Sequence, residues 1–276
     1  MDGSVPPGPV DPVYFVDPGQ LPRYRERPVV VRAHDPVALR RAVDAVDPVD
    51  LRLVQWLNPA GSADALLRWR VGLPVELRIG DPAGDPGLLY ELAALREDHP
   101  VRVALPVRAG FAAMARIALA LRFAVRLEPG QPAPERVSEL AALLDYYLRN
   151  PTVSTPLEFF HSLLGALLER RPLDLWQIQE EDPAQVRWVD GSGRLHPPGR
   201  LRHEPAAITR TALREALAAR YAGCPRCPHQ ARCAGYFQWP EPGHDCGGIR
   251  ELLTQLEAAA AELAADLAGC ATGRAS

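Results

Sequence analysis

The sequence predicts an α/β fold on a parallel sheet, and three observations predict it. Short runs rich in β-branched and aliphatic residues begin at positions 29, 51, 75, 101 and 124. Each is followed by a stretch whose apolar residues recur at helical spacing. The step from one run to the next is 22 to 26 residues, which leaves room for a crossover helix and makes successive strands parallel.

The elements follow in order. About 25 residues of Pro-rich lead open the chain, and Met1-Asp2-Gly3-Ser4-Val5-Pro6-Pro7-Gly8-Pro9 lacks the basic and apolar regions of a signal peptide. Val29–Ala33 reads as a strand, and Pro36–Val46 as a helix with Leu39, Val43 and Val46 on one face. Leu51–Leu57 is the second strand, and Ser62–Arg70 the helix after it. Val75–Ile79, Val101–Leu105 and Ala124–Leu127 continue the strands, with helices near Pro86–Glu97 and Ala109–Leu121 between them. With a candidate sixth strand at Leu175–Gln179, the units are too few for a closed eight-fold barrel. A partial parallel (β/α) barrel fits the cadence better than a doubly wound sheet. Two longer helices follow, Pro134–Arg149 and Pro156–Arg170. Asn150-Pro151 ends the first, and Ser154 or Thr155 caps the second with Pro156 at its first position.

Trp188–Leu195 reads as a hairpin about the turn at Asp190-Gly191, and His196–Pro205 as a Pro/Gly/Arg linker. A short helix, a cysteine-rich loop and a last helix from Ile249 to Leu267 complete the chain. Leu252, Leu256, Leu263 and Leu267 stripe that helix, and Gly269 is expected to end it. The expected organisation is a lead over residues 1–25, a partial barrel over 26–195, and a small Cys-rich metal-cluster domain with the C-terminal helix over 196–276.

Composition narrows the function. The net charge of −3 gives no reason to expect nucleic acid or an anionic membrane as partner. All 31 basic residues are arginine, which excludes a Schiff-base lysine, a Walker-type phosphate loop and the kinase lysine. The most apolar stretch, Phe111 to Val125, is broken by Arg116 and Arg122 and falls short of a membrane span. A cytoplasmic location is expected, and in a reducing compartment clustered cysteines bind metal more often than they pair as disulfides.

All five cysteines lie beyond residue 223. Cys224, Cys227, Cys233 and Cys246 form C-x2-C-x5-C-x12-C, four thiols close enough in sequence to close on one centre. Pro225, Pro228, Gly235, Pro240, Pro242 and Gly243 leave the segment unable to form regular structure by itself, so a bound centre is expected to order it. Both zinc and an iron–sulfur cluster suit these ligands. Zinc has His229 or His244 as alternative ligands, and Arg226 and Arg232 stand beside the thiols to offset their charge. Cys270, a lone thiol in the tail, is not expected to be a ligand.

The run Cys224-Pro225-Arg226-Cys227-Pro228-His229-Gln230-Ala231-Arg232-Cys233-Ala234-Gly235-Tyr236 resembles the SPASM domain, the C-terminal extension of radical SAM enzymes that mature peptides and sulfatases. That family carries seven cysteines and two auxiliary [4Fe–4S] clusters on a C-x2-C-x5-C-x3-C core. Here the fourth core position is Phe237 and no cysteine precedes Cys224. The resemblance therefore implies one cluster, ligated by Cys224, Cys227, Cys233 and Cys246, and covers about 25 residues. The upstream cadence is similar to the partial barrel of radical SAM enzymes, whose catalytic cluster sits on a C-x3-C-x2-C loop after the first strand. Here that loop is His34-Asp35-Pro36, and the family's Gly-Gly-Glu-Pro segment is replaced by Asn58-Pro59-Ala60-Gly61. The resemblance implies a degenerate barrel that does not cleave SAM, in a SPASM-bearing partner of a radical SAM peptide maturase or its precursor peptide.

Tyr236, Phe237 and Trp239 lie in the cysteine loop and read as a water-excluding shell. Glu158, His161, Glu180, Glu181 and Asp182 invite an acid–base reading, although Glu158 and His161 at i, i+3 read better as a surface pair. The mixed-charge run Arg23-Tyr24-Arg25-Glu26-Arg27 reads as solvated. The leading expectation is an accessory iron–sulfur protein without independent catalysis. Its rivals are a zinc-stabilised binding module and an enzyme using the Glu158/His161/Glu180 region.

Overall fold

Alternation along the strands decides how this chain folds. In a strand, successive side chains point to opposite faces. Val75 and Leu77, Val103 and Leu105, and Val125 and Leu127 are buried in one continuous apolar core. Between them stand Glu76, Arg102 and Arg126, on the other face. One side of the sheet is apolar and helix-covered, and the other carries charge.

The structure, a computed structural model, describes residues 11–46, 49–241 and 243–273; the opening run Met1–Pro9 lies outside them. It is α/β, with one mostly parallel sheet of nine strands. These are β1 (Val13–Val16), β2 (Val29–Ala33), β3 (Leu51–Leu57), β4 (Val75–Arg78), β5 (Val101–Pro106), β6 (Ala124–Glu128), β7 (Leu157–Glu158), β8 (Val186–Val189) and β9 (Leu195–His196). Their order is β7-β6-β5-β4-β3-β2-β1-β8-β9, with β8 parallel to β1 and only β8–β9 antiparallel. Sequential strands lie side by side from β1 to β7, the arrangement that short crossovers favour, and β8 returns to the far side of β1.

The helices are α1 (Pro36–Asp44), α2 (Gly87–Glu91), α3 (Leu95–Asp98), α4 (Phe111–Ala120), α5 (Pro134–Arg149), α6 (Phe160–Leu168), α7 (Leu175–Ile178), α8 (Arg210–Arg220), α9 (Gln230–Cys233) and α10 (Gly247–Gly273). Among the described residues no helix is long and apolar enough to cross a membrane.

Several elements differ from the expectation. The Pro-rich lead contributes β1, which sits inside the sheet between β2 and β8, and a 3-10 turn at Pro18–Arg23. Ser62–Arg70 is a series of turns, not a helix: Arg68 and Arg70 adopt left-handed φ of 56° and 46°. Trp69 is buried between them with its Nε1 donating to Asp44 Oδ1 at 2.9 Å. The helix read over Pro86–Glu97 is broken into α2, a 3-10 turn at Leu92–Ala94, and α3. Pro156–Arg170 is divided into β7 and α6, and Thr155 donates to Phe123 O at 2.8 Å instead of capping.

The candidate strand Leu175–Gln179 is α7. Asp174 accepts from the backbone of Trp176 and Gln177, and Gln177 answers with its side chain, a complete capping box. Gly269 does not end the last helix, which runs to Gly273. The hairpin at Trp188–Leu195 agrees with the expectation as β8 and β9, which pair Trp188 with His196.

The charged face is held by Glu76, only 1% exposed. Gln55 Nε2 donates to its Oε1 at 2.7 Å, as does Arg126 Nη2 at 2.8 Å. Arg126 Nε reaches Oε2 at 3.1 Å, and Arg102 Nη2 pairs with the same oxygen at 2.5 Å. The network extends to Glu180 through Arg102 at 2.9 Å and to Glu128 through Arg126 at 3.0 Å and Arg78 at 2.8 Å. Burial by itself would raise the Glu76 carboxyl, but the guanidiniums of Arg102, Arg126 and Arg78 outweigh it and pull it down to about 2.

A carboxylate depressed in the folded state stabilises the protein above its unfolded pKa and loses that contribution as pH falls through the folded one. The stability contribution of Glu76 is therefore complete above about 4.5 and lost between there and about 2. Removing it leaves buried guanidiniums unpaired, at a cost of about 3–5 kcal/mol. We expect Glu76→Gln to be strongly destabilised in urea unfolding at neutral pH. The gap between variant and parent should close as pH falls from about 4.5 towards 2; a gap independent of pH would refute the role.

Candidate metal centre

The four cysteines lie in a loop region whose backbone is set by turn formers and by contacts to the rest of the fold. Cys224–Arg226 is a 3-10 turn, Cys227 follows it, and Cys233 ends α9. Ala234 and Gly235 then take left-handed φ of 49° and 76°. At Gly235 a Cβ would stand 3.0 Å from Leu217 Cδ1, so a side chain there meets both strain and a neighbour. Tyr236–Gln238 is a second 3-10 turn, and Cys246 directly precedes α10.

Side chains from the sheet region pin this loop. Trp176 Nε1 donates to Ala234 O at 3.1 Å. Gln131, in the segment after β6, donates to Phe237 O at 3.0 Å and Glu241 O at 2.8 Å and accepts from Glu241 N at 3.1 Å. Arg200 donates to Trp239 O at 2.6 Å and Tyr236 O at 3.2 Å, and its guanidinium lies 3.8 Å from the Tyr236 ring centroid. Tyr236, Phe237 and Trp239 are buried and belong to the same core as the sheet. Tyr236 meets Trp176 and Phe237 edge-on.

Cys224, Cys227, Cys233 and Cys246 are all free and part-buried. Burial pushes the Cys233 thiol up to about 11, with Cys246 and Cys224 adding to the rise. Burial likewise raises Cys224 and Cys246, and the neighbouring thiols reinforce it. The Cys233 sulfur accepts from the backbone N–H of Phe237 and of Gly235, and Gln238 Nε2 donates to Cys246 Sγ at 3.0 Å. The donor set suits a thiolate-ligated centre: four unpaired thiols in mutual electrostatic reach, two of their sulfurs already accepting N–H bonds. They are not drawn to a single point. Among the described residues no three His, Cys, Asp or Glu side chains are gathered closely enough to hold a metal ion.

The flanking residues read from the sequence have other employment. His229 is buried, its Nδ1 3.0 Å from Glu257 Oε1 and its Nε2 3.2 Å from Thr254 Oγ1, so both ring nitrogens tie the loop to α10. Arg232 donates to the carbonyls of Ala166, Arg171 and Leu173 around the end of α6, which commits its charge there. His244 has a buried Nε2 without a hydrogen-bond partner. Cys270 is exposed on α10.

The acid–base group is dispersed. Glu158 Oε2 accepts from Ser162 N at 3.1 Å and so secures the first turn of α6. His161 Nδ1 meets Tyr147 OH at 2.9 Å, exposed. Glu180 belongs to the Arg102–Arg126 network, Glu181 pairs with Arg200 at 3.2 Å, and Asp182 pairs with Arg210. Each carboxylate is engaged with a different partner. Sequence reading missed Gln131 and Arg200, single polar residues in loops with no local pattern to mark them.

No family model, curated protein or solved structure matches this chain.

The geometry assigns His229 to holding the loop. We expect His229→Ala to lower the unfolding free energy by about 2 kcal/mol, since it removes a buried ring and leaves Thr254 and Glu257 without it. Any metal bound per folded chain should match the parent, and a lower content in this variant would make His229 a ligand instead.

Proposed function

We propose that the chain is an iron–sulfur-binding, SPASM-type partner of a radical SAM peptide-modifying system. In this reading it holds one auxiliary [4Fe–4S] cluster through Cys224, Cys227, Cys233 and Cys246 and does not cleave SAM. The observation that carries it is the set of four free, part-buried thiols in one loop, neighbours electrostatically, backed by the Tyr236/Phe237/Trp239 wall. When bound, the cluster supplies one-electron transfer or structural order to that loop. The residues here supply the rest. Phe237 and Gly235 N–H and the Gln238 amide bond sulfur, and the aromatic wall keeps water from the side facing the sheet.

The sheet supports the non-catalytic part of the reading. Its sequential parallel order is what a partial barrel requires. After β2, the first strand read from the sequence, His34 accepts from Trp56 Nε1 through its carbonyl at 3.0 Å, and Asp35 caps α1 by accepting from Val37 N at 2.9 Å. The short connection is occupied with starting a helix. Structural zinc is the second reading, favoured by His244, whose unpartnered Nε2 lies two residues from Cys246.

Anaerobic purification followed by iron, sulfide and zinc analysis tests the reading. We expect about four iron and four sulfide per chain, with visible absorption lost in Cys224→Ala and in Cys246→Ala. About one zinc and no sulfide would replace the cluster with the second reading. If a radical SAM maturase is encoded beside this chain, co-expression should recover the two as a complex, and separate elution would remove the partner role.

A further inference from the structure

A cavity of about 720 Å³ opens on the charged face of the sheet, between the carboxyl ends of β4–β6 and the segments around Arg200 and Tyr236. Carboxyl ends of parallel strands are the common place for a ligand, and the volume falls within the range of small-molecule sites. Its wall is not that of a packed core. Gln179 is 4% exposed, yet its Nε2 has no partner. Trp188 Nε1 and Arg200 Nη2 also line the cavity as buried donors without acceptors. Each such donor costs free energy unless something accepts from it.

Two acceptors on the same wall, Gln55 Oε1 and Glu180 Oε2, lack a hydrogen-bond partner as well, so the complement is a ligand with acceptors for the three N–H groups and a donor of its own. The charge balance agrees. Five arginines line the cavity (Arg78, Arg108, Arg126, Arg200 and Arg202) against Glu128, Glu180 and Glu181. The surplus is positive in a partly desolvated space, where charge counts for more than in water.

The free donors are single, planar side-chain groups, and planar N–H donors match the planar oxygens of a carboxylate.

We propose that this cavity binds a carboxylate-bearing ligand, received by Gln179, Trp188 and Arg200. Arg200 also donates to Tyr236 O and Trp239 O. A ligand there rests on a side chain that anchors the cysteine loop, so the two sites share a residue.

Titration calorimetry on the full chain, at low salt and with metal content measured on the same sample, tests this independently of the cluster reading. Citrate probes a free carboxylate, a blocked Gly-Glu-Glu-Gly peptide probes a carboxylate in a chain, and inorganic phosphate serves as comparator. We expect one or both carboxylate probes to saturate at least about tenfold more tightly than phosphate. Citrate alone would identify a free small acid, and the peptide alone an acidic peptide. Gln179→Glu, which places a negative charge at the donor, should weaken binding by about tenfold or more. Trp188→Phe, which removes only the N–H donor with its ring edge, should weaken it several-fold and covers the case in which the first variant fails to fold. Equal or tighter binding of phosphate, or full affinity in the folded variants, overturns the proposal.

Discussion

The rest of the structure depends on how Glu76 is kept ionised inside the protein. A carboxylate with 1% exposure is stable only if its lost hydration is replaced. Arg102 replaces it from the paired position on the adjoining strand and Arg126 from the strand beyond, while Gln55 completes the shell. Three parallel strands and the segment at Glu180 are thereby held in one register by charge. The apolar face, with its helices, would accept small slips more readily than this network does.

The same network explains why the inner face is open. Arginines satisfied by Glu76 cannot be covered by an apolar layer without losing water from their remaining N–H groups. The chain covers this face with polar reach instead: Arg200 spans from Glu181 to the carbonyls of Tyr236 and Trp239, and Gln131 spans to Phe237 and Glu241. These two residues couple the sheet to the loop that carries the cysteines, while His229 couples the loop to α10. The loop is anchored on both sides, and burial raises the thiols of Cys224, Cys233 and Cys246 within it.

Much of the fold was legible where periodicity was long. Five strands and the helices α1, α4, α5 and α10 follow from hydrophobic spacing, and the Asp190-Gly191 turn marks its hairpin. The errors share a cause. Leu175–Ile178 is apolar enough for a strand, and only the Asp174/Gln177 capping box identifies it as a helix. Ser62–Arg70 has helical spacing, but Trp69 is drawn to Asp44 and its neighbours take left-handed conformations. Val13–Val16 is too short to stand out in a Pro-rich lead, and it becomes a strand because β2 and β8 offer it two edges. Among site residues, the cysteines were visible by type and spacing. Gln131 and Arg200 were not, because their partners in the cysteine loop lie 36 or more residues away.

By itself the sequence determined the α/β class, the parallel cadence, the absence of lysine chemistry and the confinement of every thiol to the last part of the chain. Those are matters of local pattern and composition, which need no folding to be read. Only the tertiary structure decided which face of the sheet is charged, that His229 and Arg232 serve the fold, and that Glu158, His161 and Glu180 stand apart. It also decided that a donor-lined cavity lies against the cysteine loop. Each of these depends on contacts between residues distant in sequence, where burial and charge pairing, not local propensity, select the partner.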